Sequence, residues 1–297
     1  MLQQKWARDI YKARYMYLMI APALIFLALL FYTPVVRGFV MTFHEFRIRG
    51  GGEFVGLANY LDVVTDPDFW RVLKNTLIIG GGTLLLSFFL QVVIALLLNE
   101  VQHGLSRRTI QTAIYLPHLF SWVVVGGIWI SLLSPSSGMI NALLNWLGIE
   151  PIYFMAKESW APLVFILTGV WKSLGYGCII FLAAVTKINP VLYEAAAIDG
   201  ANRWQLVRSI TLPGLYSTML VVFLLNLLGV LRIFDQSYVM SNPAIMRSTD
   251  VVMTYTYRLG IVQLQMDYAA TVAYVVLAMT IVLAFFYLSA VRSDVLD

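Results

Sequence analysis

Six long apolar stretches, separated by shorter polar segments, dominate the sequence. The hydrocarbon core of a bilayer is about 30 Å thick, and an α-helix needs roughly 20 apolar residues to cross it. Each stretch is too long and too continuous to be a strand of a membrane barrel. The pattern therefore predicts an all-α, polytopic membrane protein with six transmembrane helices. The predicted spans are residues 15–40, 73–98, 109–133, 160–185, 214–237 and 268–290.

Two shorter segments add detail to this pattern. Residues 139–147 are amphipathic and too short to span, which predicts a helix lying along the outer surface. The run Gly80-Gly81-Gly82 lies in the second predicted span, near its start, where we expect small residues to serve helix packing rather than phosphate binding.

Composition agrees with a membrane protein and excludes several other classes. Only 12% of the 297 residues are charged, about half the roughly 25% typical of soluble domains. Lys and Arg never form a run longer than two, so nucleic-acid binding is not indicated. Cys178 is the one cysteine, which excludes a disulfide within the chain. The histidines lack metal-ligand spacing, so we expect no metal site; they are His44, His103 and His118.

Charge also predicts the orientation, although weakly. Four basic residues precede the first span and favour a cytoplasmic N-terminal segment over residues 1–14. They are Lys5, Arg8, Lys12 and Arg14. Residues 15–297 then form a single transmembrane domain, and an even number of spans places both termini in the cytoplasm. The same choice puts the polar segment 186–213, between the fourth and fifth spans, on the inside.

That segment has the signals of two short helices joined by a turn. Asn189 can cap a helix that starts at Pro190, and Gly200 can end it in a left-handed conformation. Asn202 and Gln205 have the spacing of a capping box, which predicts a second short helix over residues 203–210. Pro213 would then open the fifth span, leaving a helix–turn–helix flat beneath the membrane.

The same segment carries a pattern of small and acidic residues at fixed spacing. Its members are Glu194, Ala195, Ala196, Asp199, Gly200 and Ala201, followed by Ile210, Leu212 and Pro213. This pattern resembles the cytoplasmic EAA loop of binding-protein-dependent ABC importer permeases. The alternative is an ordinary amphipathic connector in which the alanines are simply good helix formers. The resemblance implies that the loop couples to an ATPase through Glu194, Ala195, Ala196, Ala197, Asp199, Gly200 and Ala201.

Resemblance continues along essentially the whole chain. Stretches such as Tyr115-Leu116-Pro117 and Phe234-Asp235-Gln236-Ser237-Tyr238 look like the carbohydrate-importer branch, in the group with sugar and alginate-oligosaccharide systems. The implied fold is the six-helix core of a type I importer permease in the bacterial cytoplasmic (inner) membrane.

This family resemblance also implies a set of partners. They are a second homologous permease subunit, two ATPase subunits carrying ATP and Mg²⁺, a soluble substrate-binding protein, an oligosaccharide and membrane lipid. The chain has no G-x-x-x-x-G-K-[ST] motif, so we expect no nucleotide or other cofactor on it.

Charged residues inside the spans are expensive and suggest a substrate pathway. Lys172 lies midway along the fourth predicted span beside Tyr176, while Arg232 and Asp235 lie toward the end of the fifth. The nearby polar candidates are Asn226, Gln236 and Tyr238. Two cations among aromatic faces would suit an acidic sugar. The alternatives are that Arg232 and Asp235, three apart on one helix face, neutralise each other, and that Lys172 snorkels.

Two other functional classes remain open at this point. An intramembrane glycosyl- or phosphotransferase would need acids converging at one depth, whereas the spans contain only Asp235 as an acid. A secondary sugar transporter would show inverted repeats or proton-relay acids, and neither is found. The sequence therefore favours a permease that is itself no enzyme.

Overall fold

The computed structural model describes residues 13–47, 50, 52–101 and 104–295, and for residues 292–295 the backbone alone. Lys5, Arg8, Lys12 and His103 lie outside the described residues. The chain divides into two compact units: residues 1–65 with 256–275, and residues 66–255 with 276–297. Within the described residues the regular elements are helical, apart from one isolated bridge between His44 and Phe54.

The helices in chain order are α1 (Arg14–Met41), α2 (Ala58–Thr65), α3 (Pro67–Glu100), α4 (Gly104–Leu119), α5 (Trp122–Leu132), α6 (Met139–Trp146), α7 (Ala161–Val185), α8 (Pro190–Ile198), α9 (Arg203–Val230), α10 (Asp235–Met240), α11 (Met246–Thr249), α12 (Val252–Tyr257) and α13 (Met266–Val295). The short helix predicted over residues 139–147 is confirmed as α6.

Five of these helices are long and apolar enough to cross a membrane, namely α1, α3, α7, α9 and α13. The predicted third span, residues 109–133, is not one straight helix: α4 and α5 meet at an angle of 104°. Pro117 lies in the last turn of α4, and the Ser121 side chain accepts a hydrogen bond of 3.5 Å from the N–H of Val124, which starts a new helix. Five continuous helices and this bent pair account for the six predicted spans.

The fifth span differs from its prediction at both ends. The prediction of a separate helix over residues 203–210 is wrong, because α9 runs without a break from Arg203 to Val230 and contains Pro213. A π-turn over Val207–Thr211 precedes the proline. This wider turn replaces the i−4 bonding that a residue without an N–H would interrupt. At the other end, α9 stops at Val230 and not at residue 237.

The unit formed by residues 66–255 and 276–297 is organised around the packing of α3 on α7. A Cβ added at Gly82 would lie 2.6 Å from Cδ1 of Ile166, and one at Gly80 would lie 2.8 Å from Cδ1 of Ile233. The expected packing role is confirmed for Gly80 and Gly82, whereas a Cβ added at Gly81 would meet no atom within 4 Å. Farther along the two helices, a buried cluster includes Ala95, Cys178 and Phe181, and Val222 of α9 joins it.

The other unit holds α1, α2 and the start of α13. None of the residues of α1, all of which the structure describes, is buried. The segment after α1 is tied down by polar contacts: the Asn59 amide donates to the carbonyl oxygens of Thr42 and His44, and the N–H of Phe46 donates to the carboxylate of Asp267. These bonds satisfy backbone groups of the segment that follows α1.

Candidate functional site

The loop between α7 and α9 is built from local capping interactions. Asn189 begins α8 by accepting a hydrogen bond of 3.1 Å from the N–H of Val191. At the other end Gly200 has φ of +78°, and the N–H of Ala201 donates to the carbonyl oxygen of Ala196 over 2.9 Å. That bond closes a Schellman turn, for which a glycine is favoured because a Cβ opposes positive φ. The predicted helix and its glycine end are confirmed.

The predicted capping box is also confirmed, although it starts a longer helix. The N–H of Gln205 donates to Oδ1 of Asn202 over 2.9 Å, and the N–H of Asn202 donates to Oε1 of Gln205 over 2.7 Å. These reciprocal bonds fix the point at which the chain turns into α9.

The exposed side of α8 carries the acidic and small residues of the EAA pattern. Glu194, Ala195 and Asp199 are exposed, and Ile198 is 87% exposed. Among the described residues, no hydrogen bond or ion pair is recorded for Glu194. Tyr193 of α8 holds the loop to the start of α9, because its hydroxyl lies 2.9 Å from Oγ1 of Thr211. A carboxylate and alanine-sized side chains are thus presented outward from a helix that is anchored at its base.

Lys172 lies beside the bend between α4 and α5. Its ammonium donates to the carbonyl oxygens of His118 and Phe120 over 3.0 and 2.5 Å, and a third contact reaches Pro117. The same ammonium stands 5.7 Å from the centre of the Trp122 ring. A bent helix leaves its last carbonyls without intrahelical donors, and the Lys172 ammonium supplies donors for them.

Two further groups lie close to this ammonium. Tyr176, one turn farther along α7, stacks on His118 with 5.2 Å between ring centres. Asp235 of α10 is near enough for its charge to act on Lys172. A Cβ added at Gly126 of α5 would lie 2.8 Å from Cγ1 of Val239 of α10. Helices α5 and α10 therefore pack against each other.

A second interruption of helical structure lies between Val230 and Asp235. It separates two of the predicted site residues, Arg232 and Asp235. Arg232 lies in the irregular segment, while Asp235 begins α10, so the two do not share one helix face. The alternative that they pair as neighbours on a helix is therefore wrong. Both are exposed, and the described residues contain no ion pair between them.

The remaining predicted residues divide into accessible and buried ones. Tyr238 is exposed and stacks on Phe234, with 5.1 Å between ring centres, whereas Asn226 is half-buried on α9. Gln236 is 3% exposed and donates to the carbonyl oxygen of Phe165 over 2.6 Å and to Oγ1 of Thr168 over 2.8 Å. These contacts make Gln236 an anchor of α10 on α7.

A group of tryptophan side chains near the bend was not predicted from the sequence. Trp129 contacts Trp171 edge to face at 5.7 Å between ring centres, and Trp122 faces the Lys172 ammonium. Trp122 and Trp129 are seven residues apart, a spacing that places two side chains on one face of a helix and could have signalled the group.

Two interrupted helices, a cation, a carboxylate and several aromatic rings therefore meet in one region. Irregular backbone inside apolar helices is tolerated where it is buried in protein or lines a water-filled cavity. Aromatic faces with a few polar groups are typical of small-molecule sites. The described residues contain no group of three or more His, Cys, Asp or Glu that could hold a metal ion.

Comparisons with known proteins identify the family. Residues 84–294 match the family described as binding-protein-dependent transport system inner membrane component. The polygalacturonan/rhamnogalacturonan transport system permease protein YteP of Bacillus subtilis is 37% identical over 263 residues, covering 87% of this chain and 82% of YteP. The lactose transport system permease protein LacF of Rhizobium radiobacter is 31% identical over 286 residues, covering 93% of each chain.

Among solved structures, a similar chain comes from a bacterial alginate ABC transporter in complex with an alginate pentasaccharide-bound periplasmic protein. That chain is 32% identical, with a TM-score of 0.89 and 97% of both chains covered. The fold is thus that of an ABC importer permease. The match over residues 84–294 and relatives aligned along most of their length show that this chain belongs to the family of binding-protein-dependent transport system inner membrane components.

Proposed function

We propose that this chain is the permease subunit of an ATP-driven importer of oligosaccharides, acidic ones in particular, and that it forms half of the translocation pathway. The observation that carries the proposal is the exposed face of α8, where Glu194 has no recorded partner among the described residues of its own chain. A capped helix that holds an unpaired carboxylate outward is suited to a basic surface on another protein.

The family and a related structure support the proposed assembly. The alginate transporter is described together with a periplasmic protein that holds the sugar. We therefore assign to this chain a soluble binding protein, a second permease subunit and two ATPase subunits that carry ATP and Mg²⁺. The chain would lie in the bacterial inner membrane with both termini and the loop 186–213 in the cytoplasm.

An acidic substrate is supported by two independent lines. YteP is named for polygalacturonan and rhamnogalacturonan, and the related solved transporter is named for the acidic polysaccharide alginate. Because LacF is named for lactose, a neutral sugar, membership of the family does not by itself determine substrate charge. The second line is local: Lys172 and Arg232 place cations at the two helix breaks, where a partly dehydrated pathway would screen charge less than bulk water does.

In the proposed mechanism, the loop between α7 and α9 transmits motion of the ATPase subunits to α9. Closure of the ATPase pair on ATP would displace α8, and the contact of Tyr193 with Thr211 would carry that displacement to the base of α9. Since α9 is continuous from Arg203 to Val230, motion at its base reaches the second break, beside the proposed pathway.

Two substitutions in the loop test the coupling. In the reconstituted complex, Glu194→Lys should set like charge against like charge, and Gly200→Val should oppose the positive φ of the turn. Each should preserve assembly while lowering transport per ATP hydrolysed.

Two positions in the segment between α6 and α7 provide matched control substitutions. Glu150→Lys makes the same charge change at an exposed position, and Gly148→Val makes the same substitution at another glycine of positive φ, +76°. These controls should keep the normal ratio of transport to hydrolysis. An unchanged ratio in both loop variants would refute the coupling role of α8.

A further inference from the structure

A hollow lies where the end of α3 meets the start of α9, away from the proposed pathway. Its volume is about 320 Å³, at the lower end of the range of about 300–1,000 Å³ for small-molecule sites. Its walls are aliphatic, with Trp204, Glu100 and Arg203 at the margin. The aliphatic residues are Val93, Leu96, Leu97 and Val207.

A smaller hollow of about 150 Å³ adjoins the first and shares Leu96, Glu100, Arg203 and Val207 with it. The smaller hollow adds polar groups, because Asn99, Tyr193 and Thr211 line it. The combined space is therefore amphipathic: one part offers aliphatic contact, and the other offers hydrogen-bonding groups.

Arg203 and Glu100, the two charged residues that line both hollows, use only part of their hydrogen-bonding capacity on each other. Nη1 of Arg203 donates to Oε2 of Glu100 over 2.8 Å, and the two side chains are 80% and 52% exposed. A guanidinium has five N–H donors and a carboxylate accepts several hydrogen bonds, so one such bond leaves capacity on both groups. An adjacent cation and anion are complementary to a headgroup that itself carries a phosphate and an ammonium.

The position of the hollow fits the edge of a bilayer. Glu100 is the last residue of α3 and Arg203 is the first of α9, and both helices are long enough to span. Trp204 is 69% exposed, and tryptophan is enriched at membrane–water interfaces. The aliphatic walls lie along α3 and α9 in the direction of the hydrocarbon core, as an acyl chain requires.

We propose that this hollow binds a phospholipid with a primary ammonium headgroup, such as phosphatidylethanolamine. The phosphate is held by Arg203, the ammonium by Glu100, and the first part of one acyl chain lies between Val93, Leu97 and Val207. The lipid braces the base of α9 against α3.

Quenching of Trp204 by brominated lipids tests the site directly. The full chain is reconstituted in nanodiscs with phosphatidylethanolamine or phosphatidylcholine of identical acyl chains, brominated near the carboxyl end. The Trp204 signal is the difference between the unmodified protein and Trp204→Phe. Because exposed charge pairs are individually weak, we expect quenching by phosphatidylethanolamine to exceed that by phosphatidylcholine about two- to fivefold. Arg203→Gln and Glu100→Gln should each remove the difference.

Controls separate this lipid from other occupants. Val93→Phe should fill the hollow and reduce quenching, whereas Leu85→Phe, at an exposed position of α3 outside the hollow, should not. Equal quenching by both lipids would overturn the proposal, and so would stronger quenching by phosphatidylglycerol, which would indicate a simple cation site. Loss of quenching when the ATPase subunits assemble would likewise overturn it, because protein and not lipid would then cover the hollow.

Discussion

The ammonium group of Lys172 makes two kinds of interaction. It supplies donors to carbonyl oxygens at the bend, and it remains within electrostatic reach of Asp235. The sequence identified the residue as a cation in an apolar span. Its partners could not be predicted, since they are backbone carbonyls 52 to 55 residues away, and carbonyl groups have no sequence signature.

Replacing this residue should separate its structural role from its role toward substrate. Lys172→Met removes the donors that the ammonium supplies to carbonyl oxygens at the bend, and we expect a loss of about 0.5–1.5 kcal/mol in the free energy of unfolding. Transport of an acidic oligosaccharide should fall more than transport of a neutral one of equal length, while Lys172→Arg should retain much of both. Equal losses for the two sugars in transport assays would assign the ammonium to the bend alone.

Hydropathy predicted the positions of the membrane-spanning helices along the sequence closely, but it did not predict where a helix bends. Hydropathy predicted where the third span lies, but length and composition contain no information about the 104° bend. The capping box at Asn202 correctly marked a helix start. Its predicted end is wrong because Pro213 lies inside the helix and does not end it. The π-turn that accommodates this proline forms without a distinctive residue pattern.

The approach of α4 to α7 gives a test at this scale. A Cβ added at Gly175 would lie 2.7 Å from Cα of Tyr115 and 2.8 Å from the carbonyl oxygen of Ile114. Because backbone atoms cannot rotate away, Gly175→Ala should lower the free energy of unfolding by about 1–3 kcal/mol. Gly81→Ala, where no atom lies within 4 Å, is the matched control and should be neutral or slightly stabilising. Equal stabilities in denaturation experiments would contradict the tight packing.

At the scale of the whole molecule, the sequence predicted class and family but not which surfaces face lipid. Every residue of α1 remains unburied in this chain, although its hydropathy resembles that of α3, whose residues are partly buried. An apolar side chain has the same hydropathy whether it meets an acyl chain or another subunit, so composition cannot separate these environments.

The purified chain should hydrolyse no ATP in detergent or lipid, since its sequence lacks a phosphate-binding P-loop. Hydrolysis should appear only when the ATPase subunits are added, and phosphate release measured on each preparation decides the matter. Robust hydrolysis by the single subunit, after contaminating ATPases are excluded, would contradict the assignment of catalysis to a partner.

The π-turn at Val207–Thr211 also determines which way the loop points. Such a turn accommodates one residue more than an α-helical path, and each residue of an α-helix rotates the chain by about 100°. Deleting a single residue there would restore α-helical turns in α9. It would also rotate α8 about the axis of α9 by roughly a quarter of a turn. The direction in which Glu194 points therefore depends on the number of residues in this turn. A one-residue insertion or deletion is the smallest evolutionary step that could redirect the surface that we propose to contact an ATPase.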